Sequence, residues 1–135
     1  MIPATDAPDA DGHPPRWLGV GLLIVWIPVV VVALLFLASV LHARIGIALI
    51  PSVAPASAGW ALTRRRSYPA WQSLLGACVP LLAIQPLLTE VGPWYNDVDG
   101  SFAMFVVLLA WLLLGAILSL VSLRYAERRD ANLHR

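Results

Sequence analysis

Three carboxylates lie close together in one short stretch of this chain. Glu90, Asp97 and Asp99 could together offer oxygen ligands to a divalent cation. A calcium loop of the EF-hand type needs a glycine at its sixth position and a glutamate at its twelfth. Counted from Asp97, those positions hold Phe102 and Leu108. The pattern therefore favours a solvated acidic loop before a helix, whose dipole attracts negative charge, over a metal site.

Other groups that could do chemistry are sparse. Cys78 is the single cysteine, which excludes an intrachain disulfide and a multi-cysteine metal site. His42 is the one histidine beside an apolar segment, so we do not expect a haem held between facing histidines. The chain contains no glycine-rich phosphate loop, nucleophile elbow or HExxH motif. We therefore expect no catalytic residues, no cofactor, no metal site and no enzymatic activity.

Gln85 is the polar residue that stands out inside an apolar segment. An intramembrane glutamine can bond to a neighbouring helix or line a permeation path, and we expect the bond, worth about 1 kcal/mol. Ionisable residues within membrane segments mark transport paths. The four long apolar segments have none in their interiors, which disfavours proton-coupled transport.

The elements that must position these residues are apolar. Hydrophobic residues make up 59% of the 135-residue chain and charged residues 13%, against about 45–50% and 25% in soluble domains. A soluble core of this size cannot hide that excess, because small domains leave much of their surface in water. The chain resembles no particular family, since four spans in about 135 residues are common to many unrelated proteins.

The apolar residues fall into long runs, which predict an all-α, polytopic membrane protein with four transmembrane helices. A lone segment in lipid must satisfy its own backbone hydrogen bonds and is therefore helical. The first run is longer than the apolar part of a signal peptide and has no convincing cleavage site, so we interpret it as a retained span. The predicted spans are residues 17–41, 45–62, 70–88 and 101–123, with a disordered tail at 1–16 and a second tail at 125–135.

The second predicted span is the least regular, because it is short and carries Pro51 and Pro55. Small residues four apart let helices approach closely in lipid, where packing drives association. We therefore expect a helix-packing face here. Its candidate residues are Ser52, Ala54, Ala56, Ala58 and Gly59.

Arginines predict how the spans are oriented. Basic residues near membrane segments concentrate in cytoplasmic loops. With four spans arranged as two helical hairpins, eight of the nine arginines share one side and only Arg44 lies on the other. We therefore expect both termini in the cytoplasm. The determinants are Arg64, Arg65, Arg66, Arg124, Arg128 and Arg129.

Two functional hypotheses follow from this organisation. The first is a non-catalytic accessory or assembly subunit of a larger complex in the plasma membrane, with a membrane protein or a second copy of the chain as partner and no role for nucleic acid. The alternative is a small homo-oligomeric channel or carrier that uses proline-broken helices, since interrupted helices expose backbone groups. The residues expected to line its path are Pro51, Pro55, Pro80 and Pro86, with Ser52, Ser57 and Gln85. The absence of lysine is typical of a GC-rich bacterial genome.

Overall fold

A computed structural model describes residues 14–64, 66, 68–91 and 99–133, without the side chains of 41, 90, 91, 99–102 and 133. The long elements of the described chain are all α-helices. They are α1 (Arg16–Ala38), α2 (Ala43–Leu49), α3 (Val53–Thr63), α4 (Ala70–Val91) and α5 (Asp99–Leu133), with short 3-10 turns at Val40–His42 and Ile50–Ser52. Four stretches are long and apolar enough to cross a membrane: Arg16–Ala38, Ala43–Thr63, Ala70–Thr89 and Ala103–Asn132. The prediction of an all-helical chain with four candidate membrane spans is confirmed.

The second span is built from two helices rather than one. A 3-10 turn at Ile50–Ser52 separates α2 from α3 and contains Pro51. Proline has no N–H to donate and its ring crowds the preceding turn, so the regular hydrogen-bond ladder is interrupted there. Pro28, Pro80 and Pro86 lie within α1 and α4, which continue past them.

α5 is longer than the predicted span 101–123, since it continues to Leu133. Beyond Gly115 it contains neither glycine nor proline, and its last turns are rich in good helix formers such as Ala126, Glu127 and Arg128. Local propensity therefore extends the helix about ten residues past the end of the apolar run.

The four spans form a bundle in which each packs against two others. α2 and α3 together form the second span. α1 packs against this second span and against α5, and α4 does the same. Trp26, Leu22, Ile45, Val79 and Leu112 belong to the buried apolar core. Many other large apolar side chains point outward, as expected where the surrounding solvent is lipid rather than water.

Candidate functional site

α1 and α3 approach each other most closely at a pair of glycines. A Cβ built on Gly19 would lie 2.9 Å from the carbonyl oxygen of Gly59 and 2.8 Å from the amide nitrogen of Thr63. A Cβ on Gly59 would lie 3.0 Å from the carbonyl oxygen of Gly19. Because these neighbours are backbone atoms, no side chain can move aside to make room. The contact depends on both residues being glycine, as in small-residue helix pairs in membranes.

The same pair of spans meets again at its other end. A Cβ on Gly46 in α2 would lie 2.8 Å from the carbonyl oxygen of Ala33 and 2.7 Å from the amide nitrogen of Leu37, both in α1. The start of α1 therefore faces the end of α3, and the end of α1 faces the start of α2. The two spans are antiparallel neighbours.

The small residues predicted from the sequence lie at different depths in this packing. Ser52, Ala58 and Gly59 are buried, whereas Ala54 and Ala56 are half-buried. Gly19 and Gly46, which supply the other close approaches, were not among the predicted packing residues. A glycine pair on two different helices has no fixed spacing along the chain, so spacing alone could not reveal it.

A cluster of buried polar side chains joins α1, α4 and α5. The indole N–H of Trp26 donates to the hydroxyl of Ser119 at 3.1 Å. The hydroxyl of Ser122 lies 2.7 Å from that of Ser73 and 2.8 Å from the carbonyl oxygen of Ser119. Tyr68 completes the cluster, since its hydroxyl donates to the carbonyl oxygen of Ser122 at 2.8 Å.

Inside a membrane such a serine cluster acts through its hydrogen bonds. Trp26, Ser119, Ser122 and Ser73 are uncharged at physiological pH, so their hydrogen bonds link the helices without placing a charge in the interior. A Cβ on Gly76 would collide with the Ser119 side chain. The glycine thus lets α4 approach α5 beside the cluster.

This cluster was not predicted from the sequence. The available signal was weak: Ser119 and Ser122 are three residues apart in an apolar run, which places them on one helix face. Serine is small and common in membrane helices, and hydropathy does not indicate which face a helix turns inward. The partners of these serines are 49 and 93 residues away along the chain.

A further long-range hydrogen bond lies close to Pro28. The indole N–H of Trp111 in α5 donates to the carbonyl oxygen of Val25 at 2.9 Å. Pro28 has no N–H to donate to the carbonyl of Ile24, so the hydrogen-bond ladder of α1 is interrupted one residue before Val25. The bond from Trp111 therefore ties α5 to α1 beside this interruption.

Ser52 is the exception among the buried hydroxyls. Its side chain is fully buried, and its oxygen has no hydrogen-bond partner among the described residues. A buried hydroxyl left without a partner costs about 1–3 kcal/mol. The residue lies in the 3-10 turn between α2 and α3, where the helix is already interrupted.

The residues suggested as a path for solutes do not share one surface. Ser52, Pro55 and Pro80 are buried, whereas Ser57 and Gln85 are exposed. The Ser57 hydroxyl donates to the carbonyl oxygen of Ala54, one turn earlier in its own helix. Pro51 and Pro86 are half-buried. Within one chain these side chains are therefore divided between the interior and the outer surface of the bundle.

Gln85 lies on the outer surface of α4. It is exposed, as are the neighbouring apolar residues Leu81, Ile84 and Leu88. No described residue forms a hydrogen bond with its side-chain amide. Gln85 is four residues before Thr89, the end of the candidate span, so it lies about 6 Å inside that end. A polar amide thus faces outward from the bundle within a candidate span.

Two of the arginines predicted to set the orientation contact an aromatic ring at the end of α3. The guanidinium carbons of Arg64 and Arg66 lie 4.8 and 5.9 Å from the ring centroid of Trp60. The amide of Arg66 donates to the carbonyl oxygen of Ala61 at 2.9 Å, the 6→1 hydrogen bond of a Schellman-type helix end. Arg65 lies outside the described residues. The cation–π contacts hold the charges beside an aromatic residue suited to the membrane interface.

The arginines near the end of α5 differ in exposure. Arg124 and Arg128 are exposed, whereas Arg129 is half-buried. Arg129 borders a partly open cavity of about 230 Å³, which also contacts Pro14, Tyr68 and Tyr125. The first described residues of the chain, the start of α4 and the end of α5 therefore meet at one end of the bundle.

Burial raises the pKa of Tyr68 at this same end of the bundle. The low polarity around the ring disfavours the tyrosinate, while the hydroxyls of Ser73 and Ser122 and the positive charge of Arg129 lower the pKa in part. Tyr68 lies between α3 and α4, outside the candidate spans. The neutral phenol is therefore the form that donates to Ser122 at physiological pH.

Metal ligands do not converge in the described part of the chain. There, no three His, Cys, Asp or Glu side chains lie close enough to hold a metal ion. Asp97 and the side chains of Glu90 and Asp99 fall outside the described part, so the solvated acidic loop stays a prediction. His42 contacts Phe36, with ring centroids 5.7 Å apart.

Comparisons with protein-family models, with curated proteins and with solved structures found no match to this chain.

Proposed function

We propose that this chain is a non-catalytic accessory or assembly subunit of a larger membrane complex. The observation that carries the proposal is Gln85, whose amide is exposed on α4 about 6 Å inside the end of a candidate span. An amide in hydrocarbon lacks the hydrogen bonds it would make in water, and a helix that supplies them gains about 1–2 kcal/mol in model peptides. A partner helix against the outer face of α4 would satisfy it.

The surroundings of Gln85 support a helix as the partner. Leu81, Ile84 and Leu88 are exposed beside it on α4. Residues three and four apart lie on one face of a helix, so this apolar strip can pack closely while the amide sets the register. The buried side chains of the described residues are apolar apart from four serines, and they include the fully buried Trp26. That largely apolar interior favours a role in assembly over passage of a polar solute through one chain.

We further propose that the spans form two hairpins with both termini in the cytoplasm, in the plasma membrane of a bacterial cell. The support for this orientation is the arginine distribution. Arg16, Arg64 and Arg124 belong to the helix ends that meet near Tyr68, whereas Arg44 lies at the start of α2. Arginines close to spans concentrate on the cytoplasmic side. The support for a bacterial origin is that arginine, and never lysine, provides all nine of the Lys and Arg residues.

Purification from the native membrane in a mild detergent tests the assembly role. We expect the wild-type chain to migrate on native electrophoresis as a species larger than its monomer. Gln85→Leu should weaken that assembly about tenfold, since a lost interhelical hydrogen bond of about 1–2 kcal/mol corresponds to that factor. Gln72→Leu is the matched control, because it makes the same change near the start of α4 and should leave the assembly intact.

Three results would count against the proposal. One is a wild-type chain that migrates only at monomer size. Another is an equal effect of Gln85→Leu and Gln72→Leu on the assembly. The third is solute or ion flux in liposomes that contain only this chain, together with loss of that flux in Gln85→Ala, which would favour the homo-oligomeric channel or carrier instead.

A further inference from the structure

The cavity at the arginine-rich end of the bundle has a chemistry that the assembly role does not use. Its volume is about 230 Å³, and its lining residues include Tyr68, Tyr125, Arg129 and Asp130. Sites for drug-sized ligands are usually about 300–1,000 Å³. This cavity therefore suits one small polar group rather than a whole large molecule.

The depth of the cavity matches that of phospholipid head groups. Leu123 ends the uncharged run of α5, and Tyr125 and Arg129 lie two and six residues beyond it. At a rise of about 1.5 Å per residue, these positions are about 3 and 9 Å past the apolar run. Each head-group layer is roughly 5–7 Å thick. The long side chain of Arg129 can span the difference, since arginine commonly extends along a surface to place its charge at the interface.

Arg129 provides the positive charge of the cavity. It is half-buried, and none of the described carboxylates forms an ion pair with it. Its charge is close enough to lower the pKa of Tyr68 in part, and both residues line the cavity. A planar guanidinium presents a fork of N–H donors that fits two phosphate oxygens at once. A phosphate group is therefore the anion that this side chain would hold best.

Asp130 and the aromatic rings indicate what accompanies the phosphate. Asp130 is exposed at the rim, where its negative charge would repel a ligand that is only anionic. A primary ammonium would instead be attracted by the carboxylate and by a tyrosine face such as that of Tyr125. Phosphate and ammonium are joined in one small group in phosphoethanolamine.

We propose that this cavity binds the head group of a phospholipid that carries phosphoethanolamine. Arg129 holds the phosphate, and Asp130 with Tyr125 holds the ammonium. The acyl chains of the bound lipid extend along the apolar outer surface of the bundle. This site goes beyond the proposed assembly role and does not depend on it.

Lipid binding to the full-length chain in detergent tests the site, with native mass spectrometry as the measurement. The probes are short-chain phosphatidylethanolamine, short-chain phosphatidylglycerol and free phosphoethanolamine. We expect one tightly bound phosphatidylethanolamine, weaker phosphatidylglycerol and little free phosphoethanolamine. Arg129→Gln should weaken phosphatidylethanolamine binding about tenfold, as expected for a lost charged hydrogen-bond pair.

The neighbouring residues provide matched controls. Arg128→Gln removes the same charge from an exposed position one residue away and should leave binding unchanged. Asp130→Asn should shift preference toward phosphatidylglycerol, whereas Glu127→Gln, at another exposed carboxylate of the same helix, should not. Thermal unfolding of each variant verifies that it is folded.

Several outcomes would overturn the proposal. Equal weakening by Arg128→Gln and Arg129→Gln would mean that the lipid is held by diffuse surface charge. Equal binding of the two lipids with no effect of Asp130→Asn would remove the ammonium site. Free phosphoethanolamine that binds as tightly as the lipid would make the ligand a soluble phosphate instead.

Discussion

Gly19 in α1 and Gly59 in α3 face each other so closely that neither could carry a side chain. A Cβ on the first would lie 2.9 Å from the carbonyl oxygen of the second, and a Cβ on the second would lie 3.0 Å from the carbonyl oxygen of the first. Without a hydrophobic driving force between helices in lipid, such close packing is a main source of their association. The first two spans are thus held together by a reciprocal backbone contact.

Gly19→Ala should destabilise the folded protein. The added methyl group would meet backbone atoms of Gly59 and Thr63, so α1 and α3 must separate. We expect a loss of about 1–3 kcal/mol in the free energy of unfolding. This loss should appear even though alanine favours a helix over glycine by about 1 kcal/mol. Denaturant titration in mild detergent measures it.

Gly21→Ala is the control for this effect, because it makes the same change two residues away. The nearest atom to a Cβ there is a Leu118 side-chain carbon at 3.6 Å, an ordinary contact distance. Stability should be unchanged, or higher by up to about 1 kcal/mol from helix propensity. Equal destabilisation by both alanines would contradict the contact.

Trp26 and Ser119 should be energetically coupled. Their hydrogen bond of 3.1 Å is buried and joins α1 to α5. A double-mutant cycle with Trp26→Phe and Ser119→Ala should yield a coupling free energy of about 0.6 kcal/mol, the average for such pairs in a membrane protein. The measurement is the unfolding free energy of the wild type, both single variants and the double variant. A coupling of zero would show that the two side chains do not interact in the membrane.

Tyr68 should make stability depend on pH in the alkaline range. Burial raises its pKa, with partial opposition from Ser73, Ser122 and Arg129. Because the folded pKa is above the unfolded value of about 10, its contribution is fully present below about pH 10. That contribution is lost as pH rises through the folded pKa. Unfolding free energy measured across this range should show the loss in the wild type.

Tyr68→Phe should lack this alkaline step because no phenol remains to ionise. The variant also loses the hydrogen bond to the Ser122 carbonyl, which costs about 1 kcal/mol at neutral pH. Tyr125→Phe, at the other tyrosine of the cavity, should keep the Tyr68 step. The same alkaline step in Tyr68→Phe as in the wild type would assign it to another group.

The segment between the second and third spans, which contains Arg64, Arg65 and Arg66, should control the orientation of the spans. A reporter active only outside the cell, fused after Arg135, should be inactive in the wild type. Replacing Arg64, Arg65 and Arg66 by Glu removes much of the positive charge that, in the proposed orientation, would retain this loop in the cytoplasm. A fraction of the fusions should then become active. Arg44→Glu, which removes the single arginine of the opposite side, should not activate the reporter, and an active wild-type fusion would reverse the proposed orientation.

Four helical candidate spans could be predicted from the sequence because the bilayer imposes simple conditions. A span needs about 20 apolar residues and must satisfy its own backbone hydrogen bonds. Both conditions can be recognised from the linear sequence. Pro51 likewise indicated an irregular second span, and a 3-10 turn lies there. The end of α5 was harder to predict, since local helix propensity extends it past the apolar run that marked the span.

The tertiary structure alone decided which residues meet. Hydropathy cannot distinguish Ser119, which receives a bond from Trp26, from Ser57, which bonds within its own helix. Nor can it show that Gln85 faces outward while Ser52 is buried. The physical reason is that lipid and protein interior are both apolar, so a membrane helix carries little contrast between its two faces. The partner of each small or polar residue depends on how the helices are rotated, and the packing sets that rotation.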